Sequence, residues 1–360
     1  MTIIKRLSAN GIQRIGSPKR GFHYKKRLAG KPLTRVEVER IENLKIPPAW
    51  SEVYINTAAK GSVQAIGKDA AGRWQYLYHE KYVRLRERKK LTRLIKFAQN
   101  LPALRKTVAR HVRLPDLPRE RVMAAMLRIL SASFIRPGSQ VYADENGSYG
   151  IATLHPKHVR VRGDLIIFDF PGKSGVQQHR EFRDRAVARI VRELLRHPAR
   201  EVFKYQNGES KFVDVKRRHI NDYIKEVMGG NFTAKDFRTW AGTLICACAL
   251  ARAPSDLNDE ELKKNSAPIK RQLVAAIKET AEALGNTPAV CRDAYVSPLV
   301  MAGFARGEVI NRHFQSVQEL IRYRGVSLHP AEKSLLRFLK QEVTKQGSAS
   351  QNATKNSRGK

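Results

Sequence analysis

The sequence predicts an α+β chain: a small N-terminal β-rich domain, then a larger, mostly α-helical domain with a short antiparallel β-sheet set into it. Three observations lead there. Short strand-like runs punctuated by turn residues crowd residues 21–80. From Lys81 the apolar spacing becomes helical. Between helical stretches, three β-like runs close on the turn Pro171-Gly-Lys-Ser-Gly175. A length of 360 residues with 42% hydrophobic side chains suits two domains and excludes disorder of the whole.

Residues 1–20 read as basic and irregular, and the first strand-like run is Gly21-Phe-His-Tyr24. Pro47-Pro48 breaks any helix, Val53-Tyr-Ile55 and Val63-Gln-Ala-Ile66 read as strands, and Lys68–Gly72 reads as the loop of a hairpin that returns through Trp74–Tyr78. A domain spanning 1–86 follows, joined by the cationic run Arg84–Lys90 to a second domain over 87–344. There a helix over 119–135 buries Val122, Met126, Ile129 and Leu130 on one face. The β-like runs are Tyr149–Leu154, His158–Val161 and Leu165–Phe170, and their turn presents Lys173 at a hairpin tip. Helices are expected at 182–197, 214–228, 234–252, 268–284, 310–323 and 330–344. Thr233 and Asp236 match a capping box, and Gly285 is placed to end a helix in the left-handed conformation. Residues 345–360 carry four bases, no acid and no apolar side chain larger than alanine, the composition of a disordered basic tail.

Charge narrows the function. Lys and Arg number 68 against 33 Asp and Glu, a net +35, and both parts share it: residues 1–120 carry 28 bases and 9 acids, leaving 40 and 24 beyond. A detachable tail cannot account for that, so the partner expected is a polyanion met along the whole molecule. Cys246, Cys248 and Cys291 form neither a disulfide framework nor a zinc motif and read as packing residues in a reducing compartment. No phosphate-cradling GxxxxGK[ST] loop, HExxH spacing, signal segment or membrane-length apolar run occurs, so neither metal nor nucleotide cofactor nor membrane is expected. The expected location is the cytoplasm, on the nucleoid.

The informative stretch is Gly285-Asn-Thr-Pro-Ala-Val-Cys-Arg-Asp-Ala-Tyr295, where a hydrogen-bonding side chain precedes a tyrosine by nine residues. It resembles the type IB DNA topoisomerases and, more distantly, the tyrosine recombinases, whose nucleophilic tyrosine follows a Gly-His or Gly-Asn pair at this spacing. Further matches stand in the right order over residues 20–300: Ile46–Trp50, the hairpin Gly67–Tyr78, Phe134-Ile-Arg136, Gly172-Lys-Ser-Gly175 and Lys235-Asp-Phe-Arg-Thr-Trp-Ala-Gly242. All look like the bacterial and poxvirus-like branch.

The resemblance implies Tyr295 as nucleophile, Arg136 and Arg238 as phosphate-binding arginines, Lys173 as proton donor and Asn286 as a further hydrogen-bond donor. Asparagine there departs from the histidine of poxvirus-like members; it can donate to a phosphate oxygen but cannot shuttle a proton near neutral pH. In the small domain, Gln75, Tyr76 and Tyr78 match a hairpin that lies in the DNA major groove, with Lys68 and Arg73 adding phosphate contacts. The implied protein is a monomeric C-shaped clamp on supercoiled duplex DNA that works without ATP or metal.

Two other classes use parts of this set. Tyrosine recombinases usually read His-x-x-Arg where this chain has Lys235-Asp-Phe-Arg238, and they lack the 67–78 hairpin. A non-enzymatic coating protein explains the charge but leaves the ordered catalytic set as accident.

Overall fold

The computed structural model describes residues 1–28, 32–209, 211–253 and 267–356. The chain divides into two compact units, Met1–Lys90 and Leu91–Lys360.

In the first unit, helix α1 (Ile3–Asn10) and strand β1 (Ile12–Ser17) occupy a segment whose sequence reads as irregular. Thr2 caps α1 by accepting from the Lys5 amide, and the Gly11 amide closes its other end on Leu7 O. The element is short and cationic, so its periodicity is faint. β1 hairpins to β2 (Gly21–Lys26); β3 (Ser51–Ile55), β4 (Val63–Lys68) and β5 (Trp74–Tyr78) complete an antiparallel sheet in the order β2-β1-β3-β4-β5. Helix α2 (Arg35–Asn43), opened by a Thr34–Glu37 capping box, supplies Ile41 to a core of Ile12, Val53, Ile55 and Ala65. The Pro47-Pro48 segment is held by buried Arg14, whose guanidinium donates to Ile46 O, Pro47 O and Trp50 O.

The unit division falls inside α3 (Glu80–His111), a single helix of 32 residues that carries the whole Arg84–Lys90 run on exposed or half-exposed positions. The second unit is built around α4 (Arg119–Ser133) and α8 (Ala234–Ala251), both buried over most of their length. Between α4 and the sheet come α5 (Gln140–Asn146) and a one-turn 3₁₀ helix, Ile151–Thr153, where a strand is expected. The reason is local. The Ile151 amide donates to Arg136 O (2.9 Å) and the Ala152 amide to Pro137 O (3.1 Å), so these donors strap the Arg136 segment instead of joining a ladder. The three-stranded antiparallel sheet is β6 (Val159–Arg162), β7 (Leu165–Pro171) and β8 (Gln177–Arg183).

Helix α6 (Arg185–Leu195), a small β9–β10 ladder (Lys204–Gln206 with Phe212–Asp214) and α7 (Arg217–Met228) lead to α8. Beyond it are α9 (Ala267–Leu284), α10 (Pro288–Tyr295), α11 (Pro298–Phe304), α12 (Val317–Arg322) and α13 (Pro330–Asn356). The helix expected from 310 starts only at Val317, because the amides of Asn311 and Arg312 donate to Ser334 Oγ rather than into a helical turn. The last helix overruns its expected end at 344, and the final four residues of the basic tail lie outside the described ones. Cys246, Cys248 and Cys291 are buried, unbridged thiols in the core. No helix among the described residues is long and apolar enough to cross a membrane.

One buried carboxylate ties three helices together. Glu332 on α13, 1% exposed, accepts both Nη atoms of Arg105 on α3 (2.8 Å each), Trp240 Nε1 on α8 (3.0 Å) and the His329 amide. Removing such a partner strands the others in low dielectric. Glu332→Ala should destabilise the second unit by about 3–5 kcal/mol, read as a fall in the urea midpoint of the helical circular dichroism signal.

Candidate active site

Helix α8 presents Arg238. Its first turn is fixed by the capping box, in which the Thr233 amide donates to Asp236 (2.8 Å), and by Arg93, which binds both oxygens of Asp236 (2.5 and 2.7 Å). Arg238 is 3% exposed and donates to two backbone carbonyls, Phe134 O and, at 2.9 Å, Leu284 O. Phe134 adopts a left-handed conformation (φ 54°) that ends α4 and leads into Arg136. Arg136 in turn donates through Nη2 to Oδ1 of Asn286. Because Oδ1 faces Arg136, the Asn286 amide nitrogen faces the other way, and it is buried without an acceptor among the described residues. Arg238 Nε is likewise a buried donor with no acceptor among the described residues.

Tyr295 ends α10. The Arg238 guanidinium carbon lies 4.9 Å from the centre of its ring. Burial pushes the Tyr295 phenol up, but the charges of Arg238, first, and of Arg136 and Lys235 outweigh it, and the pKa falls below the ordinary value of 10. Arg238 itself is pushed down to about 10 by burial and by Arg136 and Arg180, and still carries its charge at neutral pH. The tyrosine backbone is clamped. Thr243 Oγ1, fully buried on α8, lies 3.2 Å from Tyr295 O and accepts from the Ser297 amide at 3.2 Å. Gly242 permits the approach, since a Cβ there would meet Tyr295 O at 2.8 Å.

Four of the five expected residues therefore converge: Arg136, Arg238, Asn286 and Tyr295. The fifth, Lys173, is exposed in a tight turn between β7 and β8, where Ser174 (φ 62°) and Gly175 (φ 73°) reverse the chain; among the described residues it makes no hydrogen bond or ion pair. Its turn is nonetheless tied to the cluster through Gln178. That side chain packs against Gly172 at the foot of the turn and against Gly285 beside Asn286.

A residue that sequence reasoning missed also lies here: Arg180 on β8, whose Nη2 donates to Gln178 Oε1 at 3.2 Å. The run Gln177-Gln-His-Arg-Glu-Phe-Arg183 reads as an ordinary polar strand, so nothing local marks it. Among the described residues no group of three His, Cys, Asp or Glu side chains is arranged to hold a metal.

The first unit carries the other expected residues on its β4–β5 hairpin. Asp69 organises the turn, binding the Ala71 and Arg73 amides, the Arg73 side chain and Gln75 Nε2 (2.8 Å), and these contacts, the Arg73 side chain foremost, lower its pKa to about 2. Lys68 pairs with Glu52 at 2.5 Å and lies 5.2 Å from the Trp74 ring. Tyr76 and Tyr78 stack at 6.2 Å, Tyr82 continues the column at 5.4 Å, and Arg86 flanks Tyr78 and Tyr82 at 5.3 and 5.9 Å. Tyr82 is a further addition that the hairpin pattern alone does not reveal.

The chain matches the family model of the eukaryotic DNA topoisomerase I catalytic core over residues 79–302, and that of the bacterial DNA topoisomerase IB N-terminal domain over residues 21–69. It belongs to the type IB DNA topoisomerases, in the bacterial and poxvirus-like branch. DNA topoisomerase 1B of Acanthamoeba polyphaga mimivirus is 35% identical over 268 residues, 73% of this chain and 79% of that protein. The Vaccinia virus (strain Copenhagen) DNA topoisomerase 1B is 24% identical over 267 residues, 73% and 80% of the two chains. A DNA topoisomerase 1 of Drosophila melanogaster is 27% identical over 153 residues, 40% of this chain and 15% of that protein.

The cation cluster sets the acidity of Tyr295. In an ultraviolet difference titration of each protein against its Tyr295→Phe counterpart, Arg238→Gln should move the Tyr295 pKa upward, because the phenolate loses its nearest positive charge.

Proposed function

We propose that the chain relaxes supercoiled duplex DNA by cutting one strand with Tyr295, letting the free end swivel and resealing the cut, with neither ATP nor metal. One observation carries this reading: Arg136, Arg238 and Asn286 converge beside a tyrosine of lowered pKa, with two buried donors left without acceptors among the described residues.

The donors suit a phosphodiester. Attack by the Tyr295 oxygen builds negative charge on the two non-bridging oxygens, where fixed guanidinium and amide N–H groups stabilise it. The phosphorus–oxygen bond to the deoxyribose 5′-oxygen breaks as the bond to Tyr295 forms, leaving a 3′-phosphotyrosine and a 5′-hydroxyl. Lys173, on the turn between β7 and β8, gives the leaving oxygen its proton, a contribution of about 10²–10⁴-fold. The new ester conserves the energy of the old one, so attack by the 5′-hydroxyl reverses the step without a nucleotide. Asn286 serves as a hydrogen-bond donor only.

Both units engage the DNA. In the first, Arg73 and Gln75 exchange Asp69, and Lys68 exchanges Glu52, for phosphates and base edges, while Tyr76 and Tyr78 offer aromatic faces. The protein acts as a monomer in the cytoplasm, on the nucleoid.

The direct experiment incubates negatively supercoiled plasmid in EDTA without ATP. Wild type should relax it and form a protein–DNA adduct at the 3′ end; Tyr295→Phe should do neither while still binding DNA. A well-folded wild type that binds but leaves the plasmid supercoiled and unattached would overturn the reading. Affinity for duplex DNA should also fall steeply with salt, log K dropping by about 0.9 per phosphate neutralised for each tenfold rise, as a filter-binding series would show.

A further inference from the structure

The tripeptide Leu284-Gly-Asn286, between α9 and α10, is the meeting point of three guanidinium groups from three different elements. Arg238 on α8 donates to Leu284 O at 2.9 Å, and Arg136, just after α4, donates to Asn286 Oδ1. Arg180 on β8 packs onto the residue between them: a Cβ at Gly285 would stand 2.5 Å from Arg180 Nη2 and 2.4 Å from Gln178 Oε1. Gly285 has φ +61°, so the left-handed turn that stops α9 is also what lets a guanidinium lie against the chain.

Charge pairing separates these three from other shielded arginines of the same unit. Arg105 is paired with Glu332, Arg121 with Glu193, Arg128 and Arg324 with Asp184, and Arg252 with Glu279. Arg136, Arg180 and Arg238 have no acidic partner among the described residues. The side chain that orients Arg180 is an amide: Gln178, 9% exposed, holds Nη2 through Oε1 and cancels none of the charge. A glutamate would fit the same space and neutralise it. Burial and the neighbouring Arg136 both lower the Arg180 pKa from its ordinary value, so its charge is held at a cost that an anion brought to the site would relieve.

We infer that Arg180 is a third phosphate-binding arginine, donating to a non-bridging oxygen of the phosphodiester attacked by Tyr295. This rests on the reaction proposed above and adds a residue to it. It also gives Gln178 a task, because that amide fixes Arg180, contacts Gly285 and packs against Gly172 at the base of the Lys173 turn. Arg180 thereby belongs to the same strand-and-turn unit that carries Lys173, and the phosphate and the leaving oxygen are addressed from one hairpin.

The test is single-turnover cleavage of a duplex at a position first mapped with wild type, using either the ordinary diester or a methylphosphonate that is neutral at that phosphate. On the diester, Arg180→Ala should cleave about 10²-fold more slowly than wild type, the scale of losing one fixed donor to a developing oxyanion, with Arg180→Lys in between. On the methylphosphonate the gap between wild type and Arg180→Ala should shrink to about threefold or less, since the charge that Arg180 addresses has been removed. Equal losses on both substrates would show a purely structural role and overturn the inference, as would no loss on either. Should Arg180→Ala fail to fold, the same comparison of the two substrates with Arg180→Lys decides. Failure of the underlying reaction looks different: wild type itself would then form no Tyr295-dependent adduct on the diester.

Discussion

Much of the second unit answers to a single constraint, the confinement of uncompensated positive charge. Two like charges about 6 Å apart at an effective dielectric of about 20 repel by about 3 kcal/mol, and three guanidiniums share the Leu284–Asn286 segment with no carboxylate paired to them among the described residues. They stay there because each is bound to something that cannot neutralise it: carbonyls for Arg238, an amide oxygen for Arg136, another amide oxygen for Arg180. The scaffold supplies the rigidity this needs. The Ile151 and Ala152 amides strap the Arg136 segment, Asp236 and Arg93 fix the first turn of α8, and Glu332 joins α3, α8 and α13 behind it.

A tyrosine placed in such a field changes character. Burial alone would make Tyr295 a poorer acid, yet the surrounding cations reverse the sign and bring its pKa below the ordinary value. The same field that would hold an anionic phosphate therefore also eases loss of the Tyr295 proton. Asn286 fits this division of labour, since its amide can supply a hydrogen bond without joining the proton traffic.

The sequence was legible where local chemistry decides structure. Turn residues and alternation located β3, β4 and β5, the Thr233–Asp236 pair located the start of α8, and Gly285 located the end of α9. It was opaque where a distant partner decides. Tyr149–Leu154 alternates like a strand, but its amides turn to Arg136 and Pro137, and Asn311 and Arg312 are drawn off their helix by Ser334. The candidate site divides in the same way. Arg136, Arg238, Asn286 and Tyr295 stand in recognisable motifs, whereas Arg180 sits in a plain polar strand and acquires meaning only when Gly285 folds against it.

The clamp on the Tyr295 backbone has a mechanical side. In the proposed reaction this residue is the single covalent tether between protein and DNA, holding the 3′ end while the free 5′-hydroxyl end turns. The carbonyl of Tyr295 lies against Thr243 Oγ1, the next turn is held through the Ser297 amide, and Gly242 seats the pair directly on α8, a helix buried over most of its length. That arrangement would keep the phosphotyrosine in register with the donors that must receive it again when the strand is resealed.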